Sequence, residues 1–169
     1  MIFATVGSAP HDFSRIVKEM DNIFLEVGEE IVVQKGFTKF IPSRVKYFDF
    51  VTYEQAISYY RDAKVIISHV SAGPVIYARK FNKPLVLMPR RGDLNEHIDN
   101  HQVETAKAIE GLSEMVEVVY NEGLLIEAVR RALNKIIEKK NYAPLTSLDE
   151  LIMCISDYVR KSEKADKRL

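Results

Sequence analysis

The chain has 169 residues, 47% of them hydrophobic, and its 24 basic and 24 acidic side chains cancel to a formal charge of +0. That is enough apolar material for one buried core, and the charge balance excludes a global positive field that would draw the chain to nucleic acid or an anionic bilayer. The single cysteine, Cys154 in an apolar run, reads as a core thiol and excludes a disulfide framework.

Residues 2–6 form a β-branched run ending at Gly7-Ser8-Ala9-Pro10. It follows no basic leader, and no run approaches the roughly 20 apolar residues of a membrane span. A cytoplasmic chain is therefore expected, peripheral at the membrane face only through a partner. From 11 to 24, Phe13, Ile16, Val17, Met20 and Phe24 share one helical face. Residues 30–34 and 45–50 read as strands. The link between them, 35–44, is too short for a long crossover helix, so either a brief turn fills it or the two strands pair differently.

Thr52 with Gln55 makes a capping box for a helix carrying Ala56, Ile57, Tyr59 and Tyr60. A strand over 64–68 reaches Ser68-His69, and Pro74 opens a short helix over 74–81. A strand at 84–88 precedes Pro89-Arg90-Arg91 and a polar cluster. The next helix turns Ile98, Val103, Ala106 and Ile109 inward. A strand at 115–119 and a strongly patterned helix over 122–139 follow, and Ser147 with Glu150 caps a last amphipathic helix to about 159.

Strands alternating with helices, many apolar on both faces, predict an α/β fold: a Rossmann-like three-layer sandwich with a mostly parallel sheet of about six strands. Residues 1–160 read as one domain and 161–169 as a charged, frayed tail. In such a sheet the carboxyl edges of the strands hold the ligand. Gly7 with Ser8, after the first strand, allows close backbone approach there, and Gln34 with Gly36, after the second, offers a ligand a polar side chain and a glycine, although a plain turn uses the same residues. Neither GxGxxG nor a GxxxxGK[ST] loop is present.

His69 ends the fourth strand, where it either orients substrate and exchanges protons or serves as a satisfied structural histidine; His11, the other catalytic candidate, lies in the first crevice loop and faces the donor or the partner domain. Arg90 either meets phosphate charge or pairs with Glu96 or Asp93. His97 and His101 stand four apart near Asp93, Glu96 and Asp99, but the HExxH pattern is absent and the spacing names no third ligand, so no metal is expected.

The segments 3–7, 33–36, 66–73, 83–90 and 95–102, in this order, resemble the glycosyltransferase family 28 C-terminal domain family. These are the nucleotide-sugar-binding halves of GT-B enzymes, found in peptidoglycan, N-glycan and exopolysaccharide assembly. The resemblance implies a donor-binding subunit of an inverting hexosyltransferase that takes N-acetylglucosamine or another hexose from a UDP-sugar to a polyprenyl-linked glycan. No tightly bound cofactor is implied, and a membrane-associated partner subunit supplies the acceptor-binding half. Whether isolated chains pair as homodimers stays open.

By the same resemblance, Ser71, Ala72 and Gly73 present backbone amides to the diphosphate, where a helix start supplies positive charge without a metal. Tyr77 falls at the ribose position, and His101 and Gln102 at the sugar hydroxyls. Ser71 replaces a glycine, Pro74 a serine or threonine, and Tyr77 a carboxylate. These changes favour, as the alternative, an inactive nucleotide-binding or accessory subunit.

Overall fold

Period-2 alternation splits the apolar strands of this chain into two buried faces. In the computed structural model, which describes residues 1–138, β1 (Ile2–Thr5), β2 (Ile31–Gln34), β3 (Lys46–Phe48), β4 (Val65–His69), β5 (Leu85–Met88) and β6 (Val116–Val118) form one sheet of order β3-β2-β1-β4-β5-β6. Every pairing is parallel. Ile2, Ala4, Val33, Ile67 and Val86 face α1 (Ser14–Val27) and α5 (Leu125–Glu138), whereas Phe3, Val32, Ile66, Leu85 and Leu87 face α2 (Tyr53–Asp62), α3 (Ala72–Lys80) and α4 (His101–Ile109). The expected three-layer α/β sandwich is the observed fold.

The 35–44 link is filled by turns, and β2 and β3 pair in parallel, Val32 opposite Lys46. Side chains from α1 and the loop before it replace the absent crossover helix. Asp21 accepts the backbone N–H groups of Ser43 and Arg44 and the Ser43 hydroxyl, and Asp12 accepts the Lys39 N–H. The Thr52–Gln55 capping box forms with both reciprocal bonds, at 3.1 and 3.3 Å.

Three expected boundaries move. Helix α1 begins at Ser14, because 7–13 forms a loop over the sheet edge. Helix α3 begins at Ala72, which makes Pro74 its third residue. Ile98, expected to point inward, is 79% exposed, because α4 starts only at His101 and Ile98 lies in the bend before the helical register begins. The last helix near 147–159, Cys154 and the 161–169 tail lie outside the described residues. Among the described residues, no helix is long and apolar enough to cross a membrane.

Candidate functional site

The strand order reverses direction between β1 and β4, and the loops leaving these neighbours diverge to open a crevice at the carboxyl edge. The register places Thr5 between Gln34 and Ser68, a polar row at the end of an otherwise apolar sheet. Thr5 donates its hydroxyl to the Gln34 carboxamide oxygen at 3.1 Å and accepts the Gly7 N–H at 3.2 Å. Gln34 therefore locks the floor of the crevice.

Gly7 has φ +73°, and a Cβ there would stand 2.7 Å from His69 Cε1 and 3.2 Å from Nε2. Gly36, at φ +52°, would place a Cβ 2.8 Å from the Gly7 carbonyl oxygen. Only glycine lets these two turns and the His69 ring meet. Ser8 is exposed in the first turn.

The Ser68 hydroxyl donates to the Thr5 carbonyl at 2.8 Å and lies 3.2 Å from His69 Nδ1. Its one proton is committed, so the ring must donate from Nδ1, which leaves a lone pair on Nε2. Burial, with further pressure from the Arg90 charge, pushes the His69 imidazole down to about 3. His69 is neutral at physiological pH and a weak proton acceptor.

Ser71 precedes α3 with an extended backbone and makes no side-chain cap. Space above Gly73 is open, with no atom within 4 Å of a Cβ built there, and Gly73 itself is exposed. The first turn of α3 thus faces the crevice through the amides of Ala72 and Gly73, while Pro74 contributes none. The Tyr77 ring stacks on Tyr60 at 4.7 Å, and its hydroxyl donates to Tyr53 at 2.9 Å. It extends an aromatic row on the α2–α3 face.

Arg90 corrects the sequence expectation. Its side chain is 0% exposed and donates to the carbonyls of Val6 at 2.9 Å, His11 and Glu96 at 3.1 Å and Asp12 at 3.4 Å. The guanidinium carbon also lies 4.6 Å from the centre of the Phe13 ring. Burial pushes this group down to about 10, against the pull of Glu96 and Asp12, so it stays charged at neutral pH. Arg90 therefore pins the β1–α1 loop to the end of β5 and turns no fork toward a phosphate.

Neither expected ion pair of Arg90 forms: Arg91 takes Asp93, and the Glu96 carboxylate takes Arg15 in two bonds of 2.8 and 2.9 Å. The sequence reading missed Arg15, whose only signal was a charge on the first helix. Gln102 is 4% exposed and accepts the Arg90 N–H at 3.1 Å, so its oxygen fixes the β5 exit.

His11, His97 and His101 come together beside this loop. The His97 ring centre lies 5.6 Å from that of His11 and 4.3 Å from that of His101. Burial, and next the neighbouring His101, hold His97 below the usual imidazole range. One strand farther out, a 410 Å³ cavity opens between the β5 and β6 exits, lined by Arg91, Asp93, Asn100, Lys107 and Tyr120. It lies beside the glycine turns rather than over them.

A parallel sheet with glycine turns and an open helix start at its switch point defines a Rossmann-like half-fold. Residues 1–151 match the model of the glycosyltransferase family 28 C-terminal domain, and the chain belongs to that family. Among solved structures, it is similar to the glycotransferase of kitacinnamycin, with TM-score 0.56, 15% identity, and coverage of 99% of this chain and 43% of that one. SnogD from Streptomyces nogalater gives TM-score 0.54 at 20% identity, covering 98% and 42%.

The chain thus spans about two-fifths of these two glycosyltransferases. ALG13 gives TM-score 0.51 at 19% identity, covering 86% of this chain and 88% of its own. At such identities the likeness shows the fold, that of one half of a GT-B enzyme. No curated protein matches the chain by sequence.

Proposed function

We propose that this chain is the donor-binding half of an inverting glycosyltransferase. It moves a hexose, N-acetylglucosamine foremost, from a UDP-sugar to a polyprenyl-linked glycan held by a membrane-associated partner subunit. One observation carries this reading: two left-handed glycine turns and the open first turn of α3 converge at the β1–β4 switch point. Family membership and the fold shared with ALG13 support it.

In this mechanism the Ala72 and Gly73 amides and the α3 dipole take the diphosphate charge that grows as the bond to the anomeric carbon breaks. The acceptor hydroxyl attacks the opposite face of that carbon, which inverts its configuration, and a base takes the hydroxyl proton. His11, on the β1–α1 loop, is the base this chain offers. His69, held neutral, acts by accepting a hydrogen bond at Nε2. His101, at the start of α4, meets the sugar hydroxyls, and Gln102 holds the adjoining backbone.

Pro74 and the engaged Tyr77 hydroxyl favour a second reading, a nucleotide-binding accessory subunit without turnover of its own. Calorimetric titration with UDP and UDP-sugars tests the shared step: saturable 1:1 binding is expected, and a folded chain that binds none of them refutes both readings. Sugar transfer to a polyprenyl-linked acceptor with the copurified partner, lost in His11→Ala, separates the first from the second.

A further inference from the structure

A three-residue donor set stands beside the donor crevice. His97 Nδ1, a carboxylate oxygen of Asp99 and a ring nitrogen of His101 all lie within 4.8 Å of one another. His97 Nδ1 is 3.2 Å from Asp99 Oδ1, and His101 Nδ1 contacts that same oxygen. Ligand atoms held 2.0–2.2 Å from a tetrahedral zinc ion stand roughly 3.3–3.6 Å apart. The His97–Asp99 pair stands near that spacing, and the whole set is gathered within 4.8 Å.

The His97 ring supplies a second observation. Its Nδ1 is buried and stands 3.2 Å from Asp99 Oδ1 without a geometrically formed hydrogen bond. Asp99 Oδ1 is already crowded, since it also accepts the His101 backbone N–H at 3.1 Å. A buried nitrogen with no formed hydrogen bond is costly, and a cation between the two imidazoles and the carboxylate would satisfy it.

We propose that His97, Asp99 and His101 form a binding site for one first-row divalent metal ion, zinc foremost. Two imidazole nitrogens and one carboxylate oxygen suit zinc, cobalt or nickel and disfavour magnesium, which prefers an all-oxygen shell. Each imidazole coordinates through Nδ1 as the neutral ring, and the fourth position takes water or an exogenous oxygen. The site supplies the third ligand that the spacing of His97 and His101 does not name. It also departs from the expectation that the chain needs no metal. The site shares His101 with the donor-sugar reading, but metal binding itself requires neither nucleotide nor acceptor.

The full chain, stripped with a chelator, is titrated with Co²⁺ and followed by its visible absorption, and Zn²⁺ is then added to displace the cobalt. One Co²⁺ per chain, displaced by Zn²⁺ and untouched by excess Mg²⁺, is expected. His97→Ala and Asp99→Asn each weaken binding by about tenfold or more, while Cys154→Ser leaves it unchanged.

Nitrogen NMR of the wild-type imidazoles keeps the test independent of variant folding: zinc shifts the Nδ1 resonances of His97 and His101 and leaves that of His69 in place. Absence of 1:1 binding, binding that survives both substitutions in folded chains, or unmoved His97 and His101 resonances overturns the proposal. Loss of nucleotide binding alone would leave it standing.

Discussion

At the scale of single residues, Gly7 and Gly73 make a contrasting pair. Gly7→Ala places a methyl carbon 2.7 Å from the His69 ring and forces a side chain into a left-handed backbone, so a loss of about 1–3 kcal/mol in urea unfolding is expected. Gly73→Ala meets nothing and lies in a helix, where alanine is preferred by up to about 1 kcal/mol. That variant should be as stable as the parent or more so, yet lose UDP affinity by calorimetry, because its methyl group fills the approach to the α3 amides. Unchanged affinity would remove the diphosphate from this position.

Arg90 gives the sharpest stability prediction. Arg90→Met keeps much of the volume but leaves four carbonyl oxygens without their donor, a change expected to cost about 3–5 kcal/mol in the same assay. Arg90→Lys should recover little, since one ammonium cannot span carbonyls on three segments.

At the scale of elements, the sequence was most legible where local chemistry decides the outcome. Six apolar or aromatic runs became six strands, with β1, β2, β4 and β5 buried on both faces, and the Thr52–Gln55 box caps α2 because both partners lie within four residues. The 35–44 connection was illegible for the opposite reason. Its order comes from Asp21 and Asp12, more than 20 residues away in the chain.

The same distance hid the role of Arg90, whose carbonyl partners at Val6 and His11 are 84 and 79 residues away. A guanidinium that binds phosphate and one that gathers carbonyls have the same sequence signature. Ile98 departs from the helical period because it sits in a bend that precedes α4. The glycine turns were visible as turns, but their convergence on His69 appears only when β1 and β4 are paired. The element-level prediction follows from the loop: Asp21→Ala frees two backbone N–H groups and a hydroxyl, and should cost about 1–3 kcal/mol while hydrogen exchange quickens at Ser43 and Arg44.

At the scale of the whole molecule, the pH dependence of stability reports how the switch point is built. His69 sits at about 3 in the folded chain, against about 6.5 for an exposed imidazole. Between these values the unfolded chain binds a proton that the folded chain refuses, so stability falls as the pH drops below about 6.5 and continues to fall toward about 3.

Paired carboxylates add to the loss with the same sign, but only at lower pH. Burial raises Glu117, yet its bonds from Lys135 and Arg131 win and leave it below the usual carboxylate range, so its contribution disappears only as the pH falls through that range. The interval from about 6.5 to 4.5 therefore belongs chiefly to histidine. His97, also held low, contributes with the same sign. His69→Asn keeps a polar group at the strand end without a titrating ring, and should flatten urea midpoints across that interval while leaving the decline below about pH 4.5 intact. An unchanged slope in the variant would mean that the imidazole at the β1–β4 junction accepts its proton as readily folded as unfolded, and that the crevice floor is wetter than its packing against Gly7 implies.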